Sequence, residues 1–149
     1  KIETQSRRRF QFNDDGAPAC IVPVCLNYDF DGFLETVTDL IAFRTDRPAQ
    51  WWSLLNSEPV LNPSAIERAR PCLGSDEVLN VFEHPLDWLR NDRQGVVVLD
   101  WSANLFFHLG GVQRICAANQ TLARRLERAL TLPAWPSPEI RFEDARHAA

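Results

Sequence analysis

Val96-Val97-Val98-Leu99 constrains this chain more than any other stretch, because four consecutive apolar residues, three of them β-branched, stand between the breaker Asn91-Asp92-Arg93-Gln94-Gly95 and Asp100. A strand of that composition offers water no polar face and must be covered on both sides, which demands a layered structure. The flanking residues supply the layers. Pro85-Leu86-Asp87-Trp88-Leu89-Arg90 reads as a short amphipathic helix before the strand, and Ser102 is placed to cap a helix through Leu109 that Gly110 and Gly111 end. Val112 to Ala118 returns as a strand. Asn119 then caps a helix over Gln120 to Leu130, with Leu122, Leu126 and Leu130 four apart and Arg124, Arg125, Glu127 and Arg128 on the opposite side. Strand, helix, strand, helix is a βαβα unit, and it places the chain in the α/β class, with α+β as the neighbouring description.

The front half has a different rhythm. Phe10 and Phe12 alternate with polar residues, Asn13-Asp14-Asp15-Gly16 forms a turn, and Cys20 to Leu26 and Thr36 to Phe43 read as two further strands of an antiparallel meander. Pro23 has no N–H to give to a ladder and belongs at an edge. Pro48 sits where a first helical turn accepts it, so Trp51, Trp52, Leu54 and Leu55 are expected on a short helix. Pro63 to Arg70 is a second helix, stopped by Pro71, and Val78 to Phe82 is read as a strand. With 149 residues the chain is expected to form one domain over 1–149, ending in a Pro-rich, mixed-charge tail at 133–149.

Composition removes several function classes. A formal charge of −4 does not suit a protein whose main task is binding phosphate backbones. No apolar run approaches the roughly 18 residues a membrane helix needs. Lys1 to Phe12 carries Arg7, Arg8 and Arg9 without the apolar segment of a secretory signal. Cys20, Cys25, Cys72 and Cys116 make no C-x-x-C pair, so they are expected as buried thiols in a reducing, cytoplasmic setting.

The candidate sites are few. Asp29 and Asp31, one residue apart, could share a hard cation, and Asp100 stands just beyond a strand end, where open α/β sheets place ligand-binding groups. Together they define one alternative, a metal-dependent enzyme acting on nucleotides or nucleic acid. Each also has a simpler reading: Asp31-Gly32 suits a turn and Asp100 a cap before the helix. His84, His108 and His147 stand with Ser102, Cys72 and Cys116 in no nucleophile frame, and no phosphate-binding glycine loop occurs. No catalytic residue, metal or cofactor is therefore assigned. Arg7 to Arg9 and the stripe Arg124, Arg125 and Arg128, with Arg114 near it, are interrupted by acidic residues or lie on an acidic protein, and nucleic acid is not the expected partner. The expected partner is a protein. Among five tryptophans, the adjacent Trp51 and Trp52 cannot both enter one small core, and an exposed indole is a favoured interface anchor.

His84 to Arg90 followed by Gly95 to Asp100, together with Asp39 to Phe43 preceding Trp51-Trp52, resembles a pattern of uncharacterised proteins from prophages and mobile elements of proteobacteria. The resemblance covers about half the chain and carries no catalytic motif. It implies a phage or mobile-element accessory function in the cytoplasm, and it transfers no site residue.

Overall fold

Helices and strands are built around the Val96 run as its composition demands. The computed structural model describes residues 1–5, 8–27, 35–70 and 77–131. Strand β6 (Val60–Leu61), helix α1 (Ser64–Arg68), strand β7 (Leu79–Phe82), helix α2 (Pro85–Arg90), strand β8 (Val96–Val98), helix α3 (Leu105–Leu109), strand β9 (Ile115–Ala117) and helix α4 (Gln120–Leu130) follow in chain order. The four strands form a mixed sheet in the order β6-β8-β7-β9. β7 runs parallel to both β8 and β9, and β6 is antiparallel to β8. The expected βαβα succession is present, but β8 and β9 are not neighbours, because β7 lies between them.

Period-2 alternation sorts the side chains of this sheet. Val96 and Val98 join Leu79, Val81 and Val60 under α1, α3 and α4, where Leu105, Leu109, Leu122 and Leu126 are buried. Val97, Leu61 and Leu99 face the other way, onto Trp88 of α2. The indole N–H of Trp88 donates to the Gly95 carbonyl at 2.9 Å, so this buried ring is both packed and satisfied. Gly95 has φ +105, and a Cβ there would run into the Asn80 carbonyl, which explains why a glycine opens β8.

The front half forms a second sheet. Strands β3 (Cys20–Asn27), β4 (Glu35–Arg44) and β5 (Arg47–Ser53) make an antiparallel meander in that order. Val22, Val24, Ile41 and Phe43 pack against the α2 side of the mixed sheet. The opposite face, with Ala42, is covered by Ile2 and Phe10. From outside inward the layers are therefore the hairpin β1 (Ile2–Thr4) with β2 (Phe10–Phe12), the antiparallel sheet, the mixed sheet with α2 at its face, and the helices α1, α3 and α4. Pro23 lies exposed on edge strand β3, opposite Leu40, as its missing N–H requires.

Several expectations are corrected here. Trp51 and Trp52 are on strand β5, not on a helix: the tight turn at Thr45-Asp46, with Arg44 ion-paired to Asp46 at 2.7 Å, folds the chain back so that Trp51 pairs with Phe43 and Trp52 with Ala42. Pro48 is the second residue of edge strand β5, where the register gives it no partner on β4, a position as acceptable to proline as a helix start. The meander contains β5 in place of the Phe10–Phe12 strand, which pairs with β1 instead. Helix α3 begins at Leu105 after Asn104, so Ser102 does not cap it. Cys20 and Cys25 are half-buried and Cys116 is exposed, where buried thiols were expected. Asn119 does cap α4, accepting from the Leu122 N–H at 2.8 Å, and Leu122 and Leu126 form its inner face. Asp29, Asp31, Arg7, Cys72, His147 and the tail 133–149 lie outside the described residues.

Candidate functional site

Parallel strands bring the ends of successive loops to one edge of a sheet. β7 is followed by α2 on one face and β8 by α3 on the other, so the carboxyl ends of these adjacent strands flank the crevice where α/β sheets take ligands. Asp100 sits there. Its carboxylate accepts from the Ser102 hydroxyl at 2.7 Å and from the Ser102 N–H at 2.9 Å, forming a local turn. The Ser102 hydroxyl, then the Ser102 N–H, and the charge of Arg8 hold this carboxyl below its ordinary range against a smaller opposing effect of burial. Arg8 reaches the same edge, donating to the Leu99 carbonyl at 3.4 Å. A cleft of about 390 Å³ lies between Arg8, Asn56, Asp100, Trp101 and Ser102.

Arg8 also walls a second cleft, of about 340 Å³, with Ala49, Gln50, Trp51 and Trp52. Alternation along β5 sends the two indoles to opposite faces: Trp51 packs beside Phe43 on the inner core, and Trp52 joins Ala42 and Phe10 on the outer one. Both rings are half-buried. The Trp51 ring centroid lies 6.4 Å from that of His84, at the start of α2. The reason for exposure differs from the expected divergence of neighbouring helical side chains. Here both rings share the rim of a strand that ends its sheet.

One buried carboxylate, read from the sequence only as a strand residue, determines how β5 leaves the sheet. Asp39 is 2% exposed and accepts from Ser53 Oγ, from the N–H groups of Leu40 (2.7 Å), Leu55 (2.9 Å) and Ser57 (3.0 Å), and from Ser57 Oγ (3.4 Å). Burial alone would raise its pKa, and is the largest single influence, but the bonds from Ser53, Leu55, Ser57 and Leu40 together outweigh it and leave the carboxyl below its ordinary range. The same bonds hold Asn56, at φ +58, against the Asp100 cleft. No motif marks Asp39, because its donors lie up to 18 residues away along the chain.

The remaining candidates are dispersed. Arg125 stacks on Trp101 at 3.8 Å, and Arg128 donates to the Arg124 carbonyl, so the α4 stripe is partly engaged with its own fold. His108 is exposed at the end of α3, and its carbonyl accepts from Arg70. Among the described residues, no three His, Cys, Asp or Glu side chains converge so as to hold a metal ion, and no helix is long and apolar enough to cross a membrane. Comparison of the chain with protein-family models, with curated proteins and with solved structures finds no match.

Proposed function

We propose that this chain is a small cytoplasmic accessory domain of a phage or mobile element that holds another protein without chemistry of its own, and that Trp51 and Trp52 make the contact. The observation that carries this reading is the pair of half-exposed indoles on the outermost strand of the front sheet, sharing a cleft with Arg8. Tryptophan combines a large apolar area with little side-chain entropy to lose, which is why so few such residues can dominate an interface. The cytoplasmic setting is supported by the exposed Cys116 thiol, which a reducing compartment keeps reduced. The mobile-element setting rests on the sequence resemblance.

The test is to capture partners from a bacterial lysate and measure the affinity of each by calorimetry. Trp51→Ala or Trp52→Ala is expected to cost about 2 kcal/mol or more, roughly 30-fold. Arg124→Ala with Arg128→Ala is expected to change affinity only a few-fold. Circular dichroism of each variant separates lost binding from lost fold, and Trp52→Phe serves where alanine is not tolerated. The opposite ranking would remove Trp51 and Trp52 from the interface.

A further inference from the structure

Two residues that wall the Asp100 cleft adopt the left-handed backbone that favours glycine, although neither is glycine: Arg8 at φ +59 and Asn56 at φ +58. Both stand beside Ser53. The Asn56 N–H donates to Ser53 Oγ at 2.6 Å, while Arg9, next to Arg8, bridges to Ser53 and donates to the Leu55 carbonyl at 2.7 Å. Asp100 is anchored too. Its N–H donates to the Pro59 carbonyl at 3.1 Å, and Ser102 bonds its carboxylate through Oδ1 alone. The cleft of about 390 Å³ between these residues thus has tethered walls, and it lies at the small end of the roughly 300–1,000 Å³ that small-molecule sites occupy.

These walls leave one charge of each sign unused. Among the described residues no donor meets Asp100 Oδ2, and the carboxyl, lying below its ordinary range, stays ionised. Arg8 spends a single long bond, 3.4 Å, on the Leu99 carbonyl, and the rest of its N–H groups are unengaged. The charge of Arg8 acts on Asp100, yet no ion pair joins the two. On the other side of Asp100 a smaller cleft of about 250 Å³ adds His108 and Glu58, the latter also without an ion pair. The rim therefore passes from acid to base, through Glu58, Asp100 and Arg8. A simple anion would be repelled at one end of it and a simple cation at the other. A molecule carrying both charges on neighbouring atoms meets neither penalty.

We infer that this cleft binds a free α-amino acid, with its carboxylate on Arg8, its ammonium on Asp100 Oδ2 and its side chain along Trp101. Both polar contacts are charge-assisted, and a guanidinium can meet a carboxylate through two parallel bonds. An apolar side chain suits the third contact, because Leu99 and the half-buried Trp101 ring, which Arg125 steadies from 3.8 Å, are the apolar parts of the wall. A sugar phosphate would also reach Arg8, but it offers Asp100 only hydroxyls, which are weaker partners for a carboxylate than an ammonium. The site shares only Arg8 with the Trp51–Trp52 cleft, so it goes beyond the protein-binding reading, and either can fail alone.

The test is a titration of the full chain with phenylalanine and with leucine, followed by nuclear magnetic resonance at the Ser102 and Asn56 amides. Saturation is expected with a Kd of about 1 mM or tighter. N-acetylphenylalanine lacks the ammonium and phenylalaninamide the carboxylate, and each should bind at least tenfold more weakly. Asp100→Asn, whose amide oxygen can still accept from Ser102, should weaken phenylalanine at least tenfold and leave N-acetylphenylalanine unchanged. Arg8→Gln should weaken phenylalanine as much and leave phenylalaninamide unchanged. The blocked ligands test the same pairing without touching the chain, so a variant that fails to fold does not remove the test. No saturation by any standard amino acid below about 10 mM overturns the inference. Equal affinity for N-acetylphenylalanine overturns it in favour of a plain anion site, and equal affinity for phenylalaninamide in favour of a plain cation site. Tighter binding of ribose 5-phosphate than of any amino acid would replace the zwitterion with a hydroxylated anion.

Discussion

The two sheets are held by different physics. In the mixed sheet, β8 is buried on both faces by aliphatic side chains and Trp88, and its cohesion is the non-directional gain of removing apolar surface from water. The antiparallel sheet adds to its apolar faces the buried Asp39 and Ser53. A buried carboxylate adds little net stability beyond an apolar side chain, but it accepts only from donors that arrive in the right place. Apolar packing thus makes the back half cohere, while the polar node fixes where β5 stops and how the loop Ser53–Ser57 turns beside the strand ends.

Three substitutions sharpen or break this contrast. The largest effect is expected in the back half: Leu126→Ala should cost roughly 2–5 kcal/mol, the usual consequence of emptying a buried aliphatic site. The loss should be the same at pH 4 and pH 7, because no titrating group takes part; a denaturation midpoint equal to that of the parent would mean that α4 does not anchor the core. Asp39→Asn should cost about 2–3 kcal/mol at neutral pH, since it weakens charge-assisted bonds and sets an amide N–H₂ against main-chain donors.

That second cost has a definite dependence on pH. Asp39 is lowered from its ordinary 3.8 in the folded chain, so its ionised form favours folding. The contribution is fully present above the unfolded value and fades as pH falls through the lower folded one. Parent and Asp39→Asn should therefore converge in stability as urea titrations are taken from pH 6 to below pH 4, and a constant gap would show that the charge is not what the node uses. Asp100→Asn is the smallest of the three, at about 1 kcal/mol or less, because its turn with Ser102 is open to water that can replace a lost bond.

The same contrast decides what could be read in the sequence. α4 and β8 were legible because their determinants are local: a cap three residues from its donor, leucines four apart, a run of valines. β7 and α2 were legible for similar reasons. Trp51-Trp52 was misread because two adjacent aromatics followed by Leu54 and Leu55 satisfy a helical face as well as they satisfy a strand covered on both sides. The turn that decides between them, Thr45-Asp46, has no glycine or asparagine to announce it. β1 is three residues long, too short for any periodicity. Asp39 looked like one more strand residue because the Ser53, Leu55 and Ser57 groups that satisfy it are brought near only by the completed meander.

The position of β7 has a consequence for how the chain is made. Its two neighbours, β8 and β9, both follow it in sequence, so a ribosome releases the centre of the mixed sheet before either flank exists. Until Ile115 emerges, one side of β7 has no strand to meet, while Leu79 and Val81 still await the later helices α3 and α4. A nascent chain halted anywhere between Leu99 and Arg114 would present a half-built apolar edge to its surroundings, the kind of surface that recruits chaperones or aggregates. Vectorial synthesis of this topology thus makes α3, β9 and α4, from Leu105 to Leu130, its protective cover.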